Sequence, residues 1–149
     1  MWKIDELVYI KIPSTSEGLK AMGNLHTRGI RITATAIYTQ FQGLLAAARN
    51  VDYIALYYNR MKNMDIDADH TIRFLRHVID RDKLPSKILA ASFRNIRQTA
   101  DALTAGAHSI TETPIVIDEA FSLSLFKSAV NDFYHDWTAI HGEVTLADI

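Results

Sequence analysis

The sequence predicts an α/β fold built of successive βα units, of the kind that close into a barrel. Short β-branched runs alternate with longer helical stretches, with no Gly/Ser linker or low-complexity segment between them, and that alternation is the βα signature. Side chains in a strand switch faces at every residue, and each candidate strand has one aliphatic face suited to packing under helices. Polar residues gather at the carboxyl ends of these strands, at Lys11, Thr35, Tyr57, Ser92 and Thr111. The intervals each hold one helix and one strand, as in a barrel whose strand ends build the active site.

The elements are justified in chain order. The first strand is expected over Leu7–Ile12, with Val8, Ile10 and Ile12 on the aliphatic face, Lys11 on the opposite face and Pro13 ending the pairing. "SEGLKAMGNLHTRG" reads as a helix, with Ser14 and Glu17 at capping-box spacing and Gly29 at its end. A strand follows at Arg31–Ile37, with Thr33 and Thr35 opposite Ile32 and Ala34, and then Thr39 and Gln42 repeat the capping spacing before "GLLAAARN". The third strand, Tyr53–Tyr58, sets Ala55 and Tyr57 opposite Ile54 and Leu56. "DADHTIRFLRHVIDRD" places Ile72, Leu75, Val78 and Ile79 on one helical face. The fourth strand, Lys87–Phe93, is expected to turn Ala90 and Ser92 away from Leu89 and Ala91. "NIRQTADALTAGA" ends at Gly106, a last strand covers His108–Thr111, and "FSLSLFKSAVNDFYHDW" forms a helical tail.

Composition narrows the functional classes. At 149 residues and 48% apolar content, the chain suits a single domain over 1–149. Sixteen basic residues against 17 acidic ones give no electrostatic case for nucleic acid or an anionic membrane. There is no cysteine, so thiolate chemistry and disulfides are excluded. "MWKIDELVYIKIP" mixes charges into its apolar run and reads neither as a signal peptide nor as a membrane span, so a cytoplasmic protein is expected. "DIDADH" has histidine where a calcium loop needs glycine, and Arg76 where it needs a bidentate carboxylate, so its acidity is assigned to helix entry. The six histidines show no metal-ligand spacing.

The chemistry suggested by the strand ends begins with Lys11. In an apolar cavity desolvation disfavours an ammonium group, and a neutral amine can attack a carbonyl to form a Schiff base. The imine is an electron sink that permits carbon–carbon bond cleavage or formation beside it, given a hydroxyl or carboxylate to relay protons through water. Thr35 and Tyr57 are the hydroxyls within reach, while Arg60 with the Ser92 hydroxyl could hold a phosphate. Taken singly, each residue also has a plain structural explanation. Lys11 could guard a strand edge, Thr35 be a β-former, Tyr57 a core aromatic, Arg60 a solvated charge and Ser92 a small filler.

The motifs "YIKIPSTSEGLKA", "ITATAIYTQFQGLLAAA", "DYIALYYNR", "KILAASFRNIRQ" and "AGAHSIT", in that order, resemble the carboxyl-terminal two-thirds of the small transaldolases and fructose-6-phosphate aldolases. The resemblance covers about residues 7–137 and implies a (β/α)8 barrel, a class I aldolase or transaldolase activity on phosphorylated sugars such as fructose 6-phosphate with a dihydroxyacetone-type donor, and no metal or organic cofactor. It also implies that Lys11 of "KIP" is the Schiff-base lysine, Thr35 of "TAIY" positions a water, Tyr57 matches the tyrosine of "PYVNR", and Arg60 and Ser92 bind the phosphate. In the family this lysine lies on the fourth strand. The chain is therefore expected to lack the first three βα units, with their aspartate, asparagine and glutamine or glutamate, and to hold five units, strands four to eight, plus C-terminal helices. A full barrel takes about 250 residues, small ones about 200. Either a fragment or truncation of an enzyme, or a naturally short derivative, fits this pattern. The functional alternative is a non-catalytic sugar-phosphate-binding or assembly module. Open sheet edges predict a homo-oligomer or association through those edges. "MKNMDIDADH" after Arg60 and "SITETPIV" depart from the family's usual loops.

Overall fold

A computed structural model describes residue 5, residues 8–145 and residue 147. Its chain divides into two compact units at Thr113/Pro114. In the first, five parallel strands are hydrogen-bonded in their order along the chain: β1 (Ile10–Pro13), β2 (Ile32–Ile37), β3 (Tyr53–Tyr57), β4 (Lys87–Ala91) and β5 (Ser109–Ile110). Sequential order distinguishes a barrel-type sheet from doubly wound folds, in which the order reverses at a switch point. The unit is an α/β fold with the architecture of a partial (β/α) barrel.

Short-range chemistry sets the helix starts. Helix α1 (Ser16–His26) is capped by Thr15, whose Oγ1 accepts the Gly18 N–H at 3.0 Å, so the cap is one residue beyond the Ser14 expected from the capping-box spacing. Glu17 instead pairs with Lys20 on the exposed surface. A Cβ at Gly18 would lie 1.9 Å from the Pro13 carbonyl oxygen, so only glycine lets α1 begin this close to the end of β1. Gly29, at φ 72°, makes the turn after α1. Helix α2 (Gln40–Ala47) is capped by Thr39 as its spacing predicts, and Gln42 reaches back to accept the Tyr38 N–H at 3.0 Å.

Tyr58 begins helix α3 (Tyr58–Asn63) instead of ending the third strand. Helix α4 (Ala68–Arg81) buries Ile72, Leu75, Val78 and Ile79, the predicted face, and is capped by Asp67. Helix α5 (Ile96–Thr104) is capped by Asn95, and Gly106 turns the chain at φ 108°. The first strand begins at Ile10. Leu7, its expected start, lies outside the described residues.

Strand register separates two faces. Ile12, Ala34, Ile54 and Ile88 pair in one row and Leu56 and Ala90 in the next; these side chains join Met22, Ala46, Ile72, Leu75, Ile79 and Ala102 of the helices in a single core. Lys11, Thr33, Tyr53 and Lys87 form a row on the opposite face. This overturns the expected phase of β4. Ala90 belongs to the helix-packed face, and Leu89 and Ala91 to the other. The run "ILAA" is apolar on both faces, so alternation within it carries no information about direction.

The second unit holds helices α6 (Pro114–Phe121) and α7 (Ser124–His141); the expected tail falls mostly on α7, and α6 precedes it. Within it Trp137 Nε1 donates to the Val144 carbonyl at 2.7 Å, closing the turn after α7. No described helix is long and apolar enough to cross a membrane.

Candidate active site

The five residues singled out from the sequence all lie in the first unit: Lys11 is the second residue of β1, Thr35 the fourth of β2, Tyr57 the last of β3, Arg60 lies in α3 and Ser92 just beyond β4. Lys11 pairs with Thr33, and Pro13 pairs with Thr35, so the lysine strand runs directly beside the threonine strand. The Ser14 N–H then donates to the Thr35 carbonyl at 2.9 Å and fixes the chain as it leaves β1. Lys11 itself is exposed. The enclosed apolar setting expected around its amine is not formed by the described residues.

Thr35 and Tyr57 are brought into contact. The Thr35 hydroxyl donates to the Tyr57 phenol oxygen at 3.0 Å, which leaves the phenol proton available to a water or a ligand. A local irregularity in β2 accompanies this pair. The β2–β3 register shifts between Ala34 and Ile37, and Ala36 sits at φ 56° in the left-handed region. The extra residue returns Ile37 to the core face while Thr35 keeps the other, which is how a bulge re-aims a side chain.

Tyr57 is held on two further sides. The Arg60 guanidinium lies 4.7 Å from its ring centroid, and the Tyr38 ring meets it edge-on at 5.6 Å. Ser92 reaches this end of the sheet by another route than strand alternation. It follows β4 at φ 66°, a left-handed turn, and its carbonyl accepts the Asn59 N–H at 3.3 Å. The structure thus joins Thr35, Tyr57 and Arg60 through side chains, ties the Ser92 backbone to the residue before Arg60, and sets Lys11 on the adjoining strand.

Beside the site, Tyr58 is fully buried and donates to Asp69 Oδ1 at 2.5 Å, and Lys62 donates to Asp69 Oδ2 at 3.0 Å. Burial and then the bond to Asp69 push the Tyr58 phenol far above its ordinary range, so it stays protonated and works as a strut between α3 and α4. Burial opposes ionisation of Asp69, yet the bonds from Tyr58 and Lys62 outweigh it and hold the carboxyl below its usual value. Asp67 and Asp69 of "DIDADH" are therefore a helix cap and a structural acceptor.

Sequence reasoning passed over Tyr38, Ala36, Asn59 and Gln98. Asn59 is nearly buried and its Oδ1 accepts from Gln98 Nε2 at 2.9 Å. The capping-box spacing of Asn95 and Gln98 was the signal available for the second of these.

The transaldolase/fructose-6-phosphate aldolase family profile matches residues 1–144. A Streptococcus pneumoniae protein described as a probable fructose-6-phosphate aldolase is 50% identical over 139 residues, covering 93% of this chain and 63% of that protein. The chain spans less than two thirds of that relative's length. Its sequential parallel βα units agree with the match, and the chain belongs to the transaldolase/fructose-6-phosphate aldolase family.

Proposed function

We propose that this chain carries the Schiff-base and phosphate-binding part of a lysine-dependent aldolase or transaldolase acting on phosphorylated ketoses, with a dihydroxyacetone-type donor. The observation that carries the proposal is the contact of the Thr35 and Tyr57 hydroxyls, with Arg60 stacked on Tyr57, beside the strand that presents Lys11. The S. pneumoniae relative's description supports the same substrate class.

In this mechanism the Lys11 amine adds to the ketone carbon of the open-chain sugar, and the former carbonyl oxygen leaves as water. The product is an imine. A water held between Tyr57 and Thr35 takes the proton from the hydroxyl two carbons from the imine carbon. The bond between the intervening carbon and that hydroxyl-bearing carbon breaks, an aldehyde departs, and the electron pair moves into the imine to give an enamine. The enamine is then protonated and hydrolysed, or it attacks a second aldehyde. Arg60 and the Ser92 hydroxyl take the phosphate through charge-assisted and neutral hydrogen bonds. Three further βα units would supply the remaining groups that orient the donor, and we place this chemistry in the cytoplasm.

Borohydride trapping tests the proposal. Incubation with fructose 6-phosphate should leave a reduced adduct on Lys11, located by peptide mass, and Lys11→Met should fold and show none. An adduct found only on another lysine overturns the assignment of Lys11. Phosphate-dependent binding without an adduct on any lysine overturns the Schiff-base chemistry and leaves a sugar-phosphate-binding module.

A further inference from the structure

Asn59 stands between a fully buried residue, Tyr58, and an exposed one, Arg60, and is itself only 9% exposed. Two of its polar groups reach the segment that runs from Ser92 into the first turn of α5. The backbone N–H donates to the Ser92 carbonyl at 3.3 Å, and the side-chain oxygen accepts from Gln98 Nε2 at 2.9 Å. Gln98 is committed at its other atoms too. Its side-chain oxygen accepts the Arg94 N–H at 2.9 Å, and its own N–H donates to Asn95 Oδ1 at 3.0 Å. The Gln98 side chain therefore links the Arg94 N–H, in the turn after Ser92, to Asn59, which precedes Arg60 in α3.

A link here has something to hold. Ser92 occupies the left-handed region at φ 66°, which a residue with a Cβ resists, so the turn persists only if its surroundings enforce it. Arg60, in the short helix α3, has a long and exposed side chain whose reach depends on where its backbone is fixed. Hydrogen-bonded partners of this kind orient functional groups without touching the ligand.

We propose that the Asn59–Gln98 pair is a clasp that fixes Arg60 and Ser92 at the separation needed by the phosphate of the substrate, making both amides positioning residues for phosphate selectivity. This rests on the assignment of Arg60 and Ser92 to the phosphate. The pair determines discrimination between phosphorylated and unphosphorylated sugars and has no part in imine formation at Lys11.

The test is borohydride trapping of the full chain with fructose 6-phosphate and, separately, with fructose. The ratio of the two half-saturating concentrations is read for the parent, Arg60→Ala, Asn59→Leu, Gln98→Met and the Asn59→Leu/Gln98→Met double variant. Each single amide variant should lower the preference for the phosphorylated sugar about tenfold, the loss typical of one well-placed hydrogen bond. Trapping with fructose should stay within about twofold of the parent, since uniform binding and imine chemistry are untouched. The double variant removes both partners and strands no buried amide, so it should fold and should lose no more preference than either single change, as coupled residues do. Preference retained in the amide variants but lost in Arg60→Ala overturns the clasp and leaves the phosphate assignment standing. Additive losses in the double variant also overturn it. A parent without any preference for fructose 6-phosphate overturns both.

Discussion

At Ala36 the backbone adopts φ 56°, a conformation that every residue with a Cβ resists, and the Thr35 hydroxyl is delivered to Tyr57 immediately before it. The bulge therefore trades local strain for the aim of one hydroxyl. Glycine at this position should relieve the strain, and a β-branched residue should aggravate it. Ala36→Gly is expected to match or exceed the parent in urea denaturation, and Ala36→Val to be less stable by at least about 1–2 kcal/mol. Equal midpoints for the two variants would show that the bulge is not what fixes Thr35. The identity of the hydroxyl pair was legible in the sequence, because Thr35 and Tyr57 fall at the ends of alternating strands. The bulge was not, since "ITATAI" fits a regular strand and nothing in it marks Ala36 as left-handed. Ser92 was read from alternation as part of the fourth strand, whereas it lies beyond Ala91 in a left-handed turn.

Between elements, the amino-terminal end of the sheet is finished by side chains that act as ladder partners. The Ile32 N–H donates to Asp52 Oδ2 at 2.7 Å, and the Ile88 N–H donates to His108 Nδ1 at 3.0 Å, while the His108 N–H returns a bond to the Ile88 carbonyl. Accepting at Nδ1 requires a neutral imidazole. Burial, then the nearby Arg76, lowers the His108 pKa below its ordinary value; Asp80 pulls the other way and Lys87 adds to the lowering. Below about pH 6.5 the unfolded chain then binds more protons than the folded one, so this contribution is fully present above that pH and is lost as the pH falls. The urea midpoint should decline between pH 7.5 and 5.5. His108→Gln, which offers a neutral oxygen to Ile88, should show a shallower decline, and an unchanged slope would remove His108 as the cause. Helix positions were well legible because caps and apolar periodicity are local. Thr39 and the α4 face were anticipated, and the α1 cap missed by one residue because "PSTSEG" offers several hydroxyls in a row. Asp52 and His108 were not legible as ladder partners: Asp52 looks like any loop residue, and His108 read as the first residue of the last strand, which begins at Ser109.

For the whole molecule, the sheet is open at both ends: among the described residues β1 pairs only with β2, and β5 only with β4. Strand edges without a partner invite pairing. We propose that this chain self-associates through those edges, or is completed by three βα units supplied on the same polypeptide or in trans. Light scattering at micromolar concentration should find assemblies larger than one chain, and a coupled aldolase assay should find turnover well below the ordinary range of about 1–10³ per second. A monodisperse monomer with ordinary turnover would refute both statements. Barrel membership was legible from the spacing of polar strand ends, whereas strand closure depends on partners that no local pattern in the chain describes.

Strand order has one more consequence, which concerns the order of synthesis. Each strand pairs with the one translated just before it, so no pairing has to wait for a distant segment of the chain. A ribosome releasing this polypeptide from its amino end would deliver β1, β2 and β3 as neighbours ready to dock, and domains form in that direction as they emerge. The Thr35–Tyr57 contact could close beside Lys11 while Ser92 had not yet been made. The groups assigned to imine chemistry are thus completed before the assigned phosphate grip, which is finished only when β4 and the first turn of α5 have followed.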